Sequence, residues 1–310
     1  MRGFEFAWND LGLAVFTTLA PAAALTYVVL ALVLLLGRLP ERQRTCLESW
    51  LIVPLAVATL GLIASATHLG TPSNALYVFT RTGRSPLSTE VLCAVLFLGT
   101  AGLYWLAGIY LKGGRAICVL RQAWLALSCV AAFGFLWGTT HAYDFWTVVT
   151  WDTPQARANI VLTGMASCAP LTLAMFVAAG QERRVRLSYC LLVASALAAL
   201  AATAVMLLQN AGLPSLRNAY GTAADLVPTY GVVAVGYGAV QAAVLAGCLS
   251  ALRAFWKAEP PAMRSFDAAG RTPAERRALG RLAVLAALSC LATFFVRFQF
   301  YQMHMTAGMV

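Results

Sequence analysis

Long apolar runs separated by short polar links dominate this chain. A run of about 20 apolar residues is the length that an α-helix needs to cross the hydrocarbon core of a bilayer. Eight such runs are present, each bounded by charged residues, Pro or Gly: 11–36, 50–67, 89–111, 117–140, 160–180, 187–209, 231–255 and 279–302. The pattern predicts an all-α integral membrane protein, a bundle of eight transmembrane helices that forms one domain over residues 1–310.

Local signals at three places predict where helices begin. Thr272-Pro273-Ala274-Glu275 has the sequence of a capping box with Pro at the first helical position, so we expect the last helix to start there. Ser88 is the expected N-cap of the third span, which puts Glu90 in the first turn, where a carboxylate complements the helix dipole. Thr71-Pro72 predicts a short interfacial helix over residues 74–80.

Composition agrees with insertion into a membrane. Of the 310 residues, 60% are apolar and 11% are charged, whereas soluble domains have about 45–50% and about 25%. The eight cysteines include no C-x-x-C pair, so we expect buried small apolar side chains and no metal site. Gly134 and Gly138 form a G-x-x-x-G motif, a spacing that lets two helices approach closely.

The basic residues predict the orientation of the bundle. Sixteen of the 22 Lys and Arg residues lie in, or at the span ends beside, the links after the first, third, fifth and seventh spans, while the acids divide equally between the two sides. Because basic loops stay in the cytoplasm, we expect both termini on the outer (periplasmic or extracytoplasmic) side of the cell's inner membrane. The net charge of +10 then lies near lipid headgroups of the bilayer, which argues against a nucleic-acid partner.

Three long loops, at residues 68–88, 141–159 and 210–230, fall on the predicted outer side. Their aromatic residues include Tyr143, Trp146, Trp151, Tyr220 and Tyr230. Such residues form either an interfacial belt or a docking surface for an external partner.

The three histidines, His68, His141 and His304, all lie at outer ends of predicted helices. An interfacial group or a carbonyl cap is the simplest role for each of them. Arg297, Tyr301 and His304 are spaced by four and three residues, so they would share one face of the last helix.

Arg297 lies about two turns inside the outer end, where an arginine either faces the bundle and finds a partner or snorkels to the surface. Glu90 is its candidate partner. No other acid falls well inside a span, which disfavours an ion-coupled transporter.

A cluster of His, Arg, Tyr and Glu under aromatic loops can bind a polar headgroup whose apolar tail lies in lipid. His and Glu also accept protons near neutral pH. A quinol fits this chemistry well, and a lipid headgroup fits it less specifically. A haem b cytochrome with two axial histidines is the second hypothesis, and a transporter is the third.

Two stretches of the sequence resemble the membrane anchor subunits of dimethyl sulfoxide (DMSO) reductase, the DmsC family. The first runs from Ala64 to Pro72 and continues with Arg81-Thr82-Gly83 and Leu87-Ser88-Thr89-Glu90, and the second runs from Arg297 to Met309. Weaker matches are Thr147 to Trp151 and Leu226 to Gly231. The resemblance extends over nearly the whole chain and agrees with eight spans.

The resemblance implies a complex in which a molybdopterin catalytic subunit and an iron–sulfur subunit dock on the outer face of the anchor. The anchor of this family binds menaquinol, oxidises it to menaquinone and passes two electrons on, and it carries no haem. The anchor itself is then not catalytic for the terminal acceptor. Dimethyl sulfoxide, another S- or N-oxide and other oxyanions all fit as acceptors, and related anchors that reduce quinone remain an alternative.

Residues of the matched stretches are the candidate quinol site. The resemblance ties His68 to quinol oxidation and matches Glu90 to the carboxylate of an L-S-x-E stretch. Arg297 and Tyr301 are expected to orient the ring oxygens. The full set of candidate quinol-binding residues is His68, Arg81, Glu90, Arg297, Tyr301 and His304, with His68 and Glu90 as proton acceptors. His141 has no counterpart in the family.

Overall fold

The computed structural model describes residues 2–37, 39–67, 72–111, 113–144, 146–181, 184–218, 221–258 and 272–306, with the backbone alone for Arg2 and residues 72–76. Its helices are α1 (Arg2–Asn9), α2 (Leu11–Leu36), α3 (Glu41–Trp50), α4 (Ile52–Ala66), α5 (Pro86–Tyr110), α6 (Arg115–His141), α7 (Pro154–Ala178), α8 (Val185–Gly212), α9 (Ala223–Leu226), α10 (Tyr230–Ala258) and α11 (Pro273–Gln302). Two 3-10 helices are Pro72–Arg81 and Leu213–Ser215, and strands β1 (Arg217–Asn218) and β2 (Gly221–Thr222) form an antiparallel pair.

Eight helical segments of the described residues are long and apolar enough to cross a membrane, which confirms the number of predicted spans. They are α2, α3 continued by α4, α5, α6, α7, α8, α10 and α11. The second segment begins at Glu41 rather than near residue 50. Its first turns form α3, whose sequence is polar, so the hydropathy pattern did not reveal them. The segment is interrupted at Leu51, just before Pro54, whose missing N–H cannot bond the carbonyl of Trp50.

Helices α2 and α7 form the centre of the bundle. In their most apolar stretches 67% and 78% of the residues are buried, against 22% in α5 and in α6. Small side chains bring the central helices close to their neighbours. A Cβ atom on Gly164 of α7 would lie 2.9 Å from Pro21 Cβ of α2, and one on Gly12 of α2 would clash with the carbonyl oxygen of Ala64 of α4.

One of the two glycines of the G-x-x-x-G motif makes a helix contact. A Cβ atom on Gly138 of α6 would lie 3.2 Å from Cys93 Cβ and 3.3 Å from Glu90 Cα of α5, whereas one on Gly134 would meet no atom within 4 Å. Two cysteines also differ from expectation, since Cys118 and Cys190 are exposed on the helix surface rather than buried. The contact of each glycine and the exposure of each cysteine depend on which face of its helix is turned towards the bundle.

The structure confirms one predicted helix start and corrects another. At α11, Thr272 Oγ1 accepts a hydrogen bond from Glu275 N at 3.1 Å, and Glu275 Oε2 accepts one from Thr272 N at 3.1 Å. The prediction that Ser88 caps α5 is wrong. Ser85 is the N-cap, followed by Pro86 at the first position, so α5 starts three residues earlier and Glu90 lies in its second turn.

Helix α1 and the last described residues, up to Thr306, lie at the same end of the bundle, which we call the terminal end. The Phe4 ring of α1 packs on Phe298 of α11, with 5.5 Å between ring centroids, and the Phe6 ring lies 5.3 Å from His304. A short helix is present where one was predicted, as the 3-10 helix Pro72–Arg81, which packs against α5.

Candidate functional site

Arg297 is buried in the bundle, close to the terminal end of α11. Its side chain is only 1% exposed, and Nη2 donates to the carbonyl oxygen of Asn159 at 2.9 Å and to Thr163 Oγ1 at 2.5 Å, both on α7. A guanidinium held in this way faces the helices rather than the lipid. The structure therefore excludes the alternative in which Arg297 snorkels to the surface.

Tyr301, one helical turn beyond Arg297, is also fully buried. Its hydroxyl forms a short hydrogen bond with the hydroxyl of Tyr143, in the loop after α6, and lies 3.5 Å from Thr17 Oγ1 of α2. Burial raises the pKa of Tyr143 well above its ordinary range, the neighbouring Tyr301 and Glu90 raise it further, and Arg297 lowers it. Tyr143 thus lies within electrostatic reach of both Glu90 and Arg297.

Glu90 is the buried carboxylate of the site. It is 5% exposed, and within the described residues its Oε1 atom has no hydrogen-bond partner. Thr139 Oγ1, on the facing α6 helix, is buried beside the Glu90 carboxylate and close enough to interact with it, but without a well-formed hydrogen bond. Burying a polar group without a hydrogen bond costs free energy, so native proteins seldom keep such groups unless water or a ligand binds there.

The expected ion pair between Glu90 and Arg297 is not formed. Helix α5 packs mainly against α6, whereas α11 packs against α2, α7 and α10. The guanidinium is therefore bonded to Asn159 and Thr163 of α7 instead. Glu90 and Arg297 nevertheless both act on Tyr143, whose pKa Glu90 raises and Arg297 lowers.

His304 does not share a helix face with Arg297 and Tyr301, because α11 ends at Gln302. Residues 303–306 run along the α6–α7 loop instead. Val149 N donates to Met305 O at 3.1 Å, and Thr150 Oγ1 donates to Met303 O at 2.5 Å. We call this segment the terminal strap.

The His304 ring packs between two aromatic rings, with centroid distances of 4.6 Å to Trp151 and 5.3 Å to Phe6. Burial lowers the pKa of His304, an effect that Asp10 partly opposes. Trp151 Nε1 also donates to Phe300 O at 3.2 Å. Trp151 and Tyr143, expected in an aromatic belt or docking surface, are in fact buried, while Trp146 of the same loop is 79% exposed.

The other candidate site residues predicted from the sequence lie either apart from this cluster or outside the described residues. His68 falls outside the described residues. Arg81 is exposed at the end of its 3-10 helix, where its carbonyl oxygen accepts bonds from Arg84 N and Ser85 N, each at 3.0 Å. His141 stacks on Trp137, with 5.1 Å between ring centroids.

Sequence reasoning did not include the residues of α7 that hold Arg297. Asn159, Thr163 and Ser167 are spaced by four along α7, and Ser289, Thr293 and Arg297 are spaced by four along α11. The two rows face each other: Ser167 Oγ lies 2.9 Å from Thr293 Oγ1, and Ser289 Oγ donates to Gln241 Oε1 of α10 at 2.9 Å. Polar residues at four-residue spacing inside an apolar run are the signal that points to such rows.

The cluster offers a carboxylate, two phenol hydroxyls and a guanidinium inside an apolar bundle. The carboxylate accepts a proton, and the guanidinium and hydroxyls donate hydrogen bonds to ligand oxygens. Among the described residues, no three His, Cys, Asp or Glu side chains lie together in a group that could hold a metal ion. The arrangement suits a small neutral ligand that exchanges protons.

Comparison with known proteins places the sequence in a family. The family model of the DMSO reductase anchor subunit (DmsC) matches residues 4–264. The C subunit of anaerobic dimethyl sulfoxide reductase from Haemophilus influenzae is 27% identical over 301 residues, which cover 97% of this protein and 96% of the relative. The C subunit and the YnfH subunit of the same kind of enzyme from Escherichia coli K12 are 29% and 28% identical, each over 97% of both proteins. The protein therefore belongs to the DmsC family of DMSO reductase anchor subunits.

Proposed function

We propose that this anchor binds menaquinol near its terminal end, oxidises it to menaquinone and passes two electrons to an iron–sulfur partner subunit. The observation that carries the proposal is the set of buried polar atoms without a hydrogen-bond partner among the described residues. These include Glu90 Oε1, Thr139 Oγ1, Asn159 Oδ1 and Arg297 Nε. A quinol supplies both the donors and the acceptors that such atoms need, and its apolar tail suits the surrounding bundle.

Glu90 is the proposed acceptor of one quinol proton, because it is the buried carboxylate of the cluster. Arg297 and Tyr301 orient the ring oxygens by donating hydrogen bonds. His68 is the proposed acceptor of the second proton. The described residue that precedes it, Thr67, lies beside Gly12 of α2, at the same end of the bundle as the Tyr143–Tyr301 pair.

Electrons leave through an iron–sulfur subunit that docks, together with a molybdopterin catalytic subunit, on the terminal end. The names of the relatives as parts of anaerobic dimethyl sulfoxide reductase support such a complex. With both termini on the outer side of the inner membrane, protons and electrons are released on the same side. Turnover then moves little net charge across the bilayer.

The proposal is tested with Glu90→Gln in the assembled complex. We expect the turnover number for a water-soluble reduced naphthoquinol to fall about 100-fold or more, since acid–base groups contribute about that much. The matched control is Glu5→Gln, which removes an exposed carboxylate of α1 at the same end. A Glu90→Gln complex that assembles and oxidises the quinol at the full rate would contradict the assignment.

A further inference from the structure

Two adjoining cavities lie between α10 and α11 at the end of the bundle opposite the terminal end. The smaller, about 180 Å³, lies at the helix ends and is lined by residues that include Ala254, Ala258 and Arg277. The larger, about 460 Å³, lies deeper along the helices and is lined by residues that include Gly280 and Val284. Ala251 and Arg281 line both cavities, so the two adjoin, and we refer to them together as the α10–α11 cleft.

The cleft exists because small residues occupy the facing sides of the two helices. Ala251, Ala254 and Ala258 of α10 and Ala274 and Ala278 of α11 line the smaller cavity. A Cβ atom on Gly280 would meet nothing within 4 Å, which leaves the deeper part open. The exposed Val284 continues the apolar wall towards the middle of the membrane.

Among the described residues, the mouth of the cleft is positively charged. Arg277 and Arg281 line it, and no acidic residue of this part of the chain lines either cavity. Arg276 and Lys257 are exposed nearby on the same two helix ends. Glu275 is buried and its carboxylate is engaged with the backbone at the start of α11. A ligand bound here would therefore carry negative charge at the mouth and an apolar part inside.

We propose that the cleft binds an anionic phospholipid from the leaflet at this end of the bundle. Its phosphate lies between Arg277 and Arg281, and one acyl tail follows the groove past Gly280 towards Val284. Basic pockets between membrane helices bind anionic headgroups in this way. Arg281 lies about 12 Å along α11 from Pro273, so both arginines lie near the start of this helix rather than at its middle. Free phosphate would fit the mouth but would leave the deeper groove unfilled.

The test uses the purified, delipidated full-length protein and follows its thermal unfolding as lipid is added. We expect phosphatidylglycerol to raise the unfolding midpoint more than phosphatidylcholine with the same acyl tails, and inorganic phosphate to have no effect. Arg277→Gln with Arg281→Gln should weaken the apparent affinity for phosphatidylglycerol about 30-fold, since each basic residue near anionic lipid contributes about 1 kcal/mol. Arg276→Gln, an exposed arginine that lines neither cavity, is the matched control.

A second pair of variants tests the acyl groove. Gly280→Leu fills the deeper cavity and should weaken binding of phosphatidylglycerol, whereas Gly236→Leu adds the same side chain at another open position and should leave binding unchanged. Equal stabilisation by phosphatidylcholine would overturn the role of the arginines. Equal stabilisation by inorganic phosphate, or unchanged lipid binding by Gly280→Leu, would overturn the lipid as the occupant.

Discussion

The buried guanidinium of Arg297 depends on a few oxygen atoms of α7. Thr163 Oγ1 donates to the Asn159 carbonyl at 2.5 Å and accepts from Arg297 Nη2 at 2.5 Å, so one hydroxyl joins both helices. Hydrogen bonds to charged groups contribute more than neutral ones, although values inside membrane proteins are usually modest. Arg297 keeps its orientation towards the cluster because these acceptors are in place.

Thr163→Val tests this dependence by removing the hydroxyl at nearly constant volume. We expect the free energy of unfolding to fall by about 1–2 kcal/mol, because Arg297 then retains only the Asn159 carbonyl as acceptor. Unfolding of the purified protein by denaturant measures the change. Thr59→Val is the control, since the exposed Thr59 hydroxyl bonds only the Leu55 carbonyl of its own helix. Equal losses for both variants would contradict the role given to Thr163.

The contact between α5 and α6 sets the position of the Glu90 backbone. Gly138 allows this close approach, with Cys93 and Glu90 directly opposite, and Gly134 takes no part in it. Of the two glycines in the G-x-x-x-G motif, it is therefore Gly138 that makes the helix contact. The carboxylate that we assign to proton transfer is thus held at the α5–α6 interface, beside Thr139.

Gly138→Leu should separate α5 from α6 and lower the free energy of unfolding by about 1–3 kcal/mol, the usual cost of overpacking. Gly134→Leu should change it by less than about 0.5 kcal/mol, because its side chain enters open space. The same unfolding measurement compares the two. A larger loss for Gly134→Leu than for Gly138→Leu would show that the interface lies on the other face of α6.

The bundle is asymmetric between its two ends. The terminal end carries the terminal strap, the buried cluster and the exposed Trp146, while the opposite end carries most of the basic residues and the α10–α11 cleft. By the general rule for membrane proteins, the basic charge predicts that the opposite end faces the cytoplasm. A partner that receives electrons from the cluster would dock on the terminal end.

Reporter fusions test this orientation. Alkaline phosphatase, which is active only outside the cytoplasm, should be active when fused after Val310 and inactive when fused after Ala258 at the end of α10. A green fluorescent protein fused at the same two positions should give the opposite pattern. An active phosphatase after Ala258 and an inactive one after Val310 would reverse the orientation and remove the proposed docking face.

Features that depend on residues close together along the chain were predictable from the sequence. Eight spans follow from transfer of apolar runs into lipid, and the start of α11 follows from a capping box within four residues. Errors arose where two local signals competed or where hydropathy was low. At α5, the helix begins after Ser85, with Pro86 at the first position, rather than after Ser88. At α3, the sequence is too polar for hydropathy to indicate its helical turns.

Only the tertiary structure decided which helices are central and which polar groups meet. Lipid and helix interior are about equally apolar, so hydropathy does not distinguish α2 and α7 from the peripheral α5 and α6. The partners of Arg297 lie 138 and 134 residues away in the sequence, and Tyr143 meets Tyr301 across 158 residues. Such pairs depend on how the helices pack, because hydrogen-bond geometry requires contact in space and no local pattern encodes it.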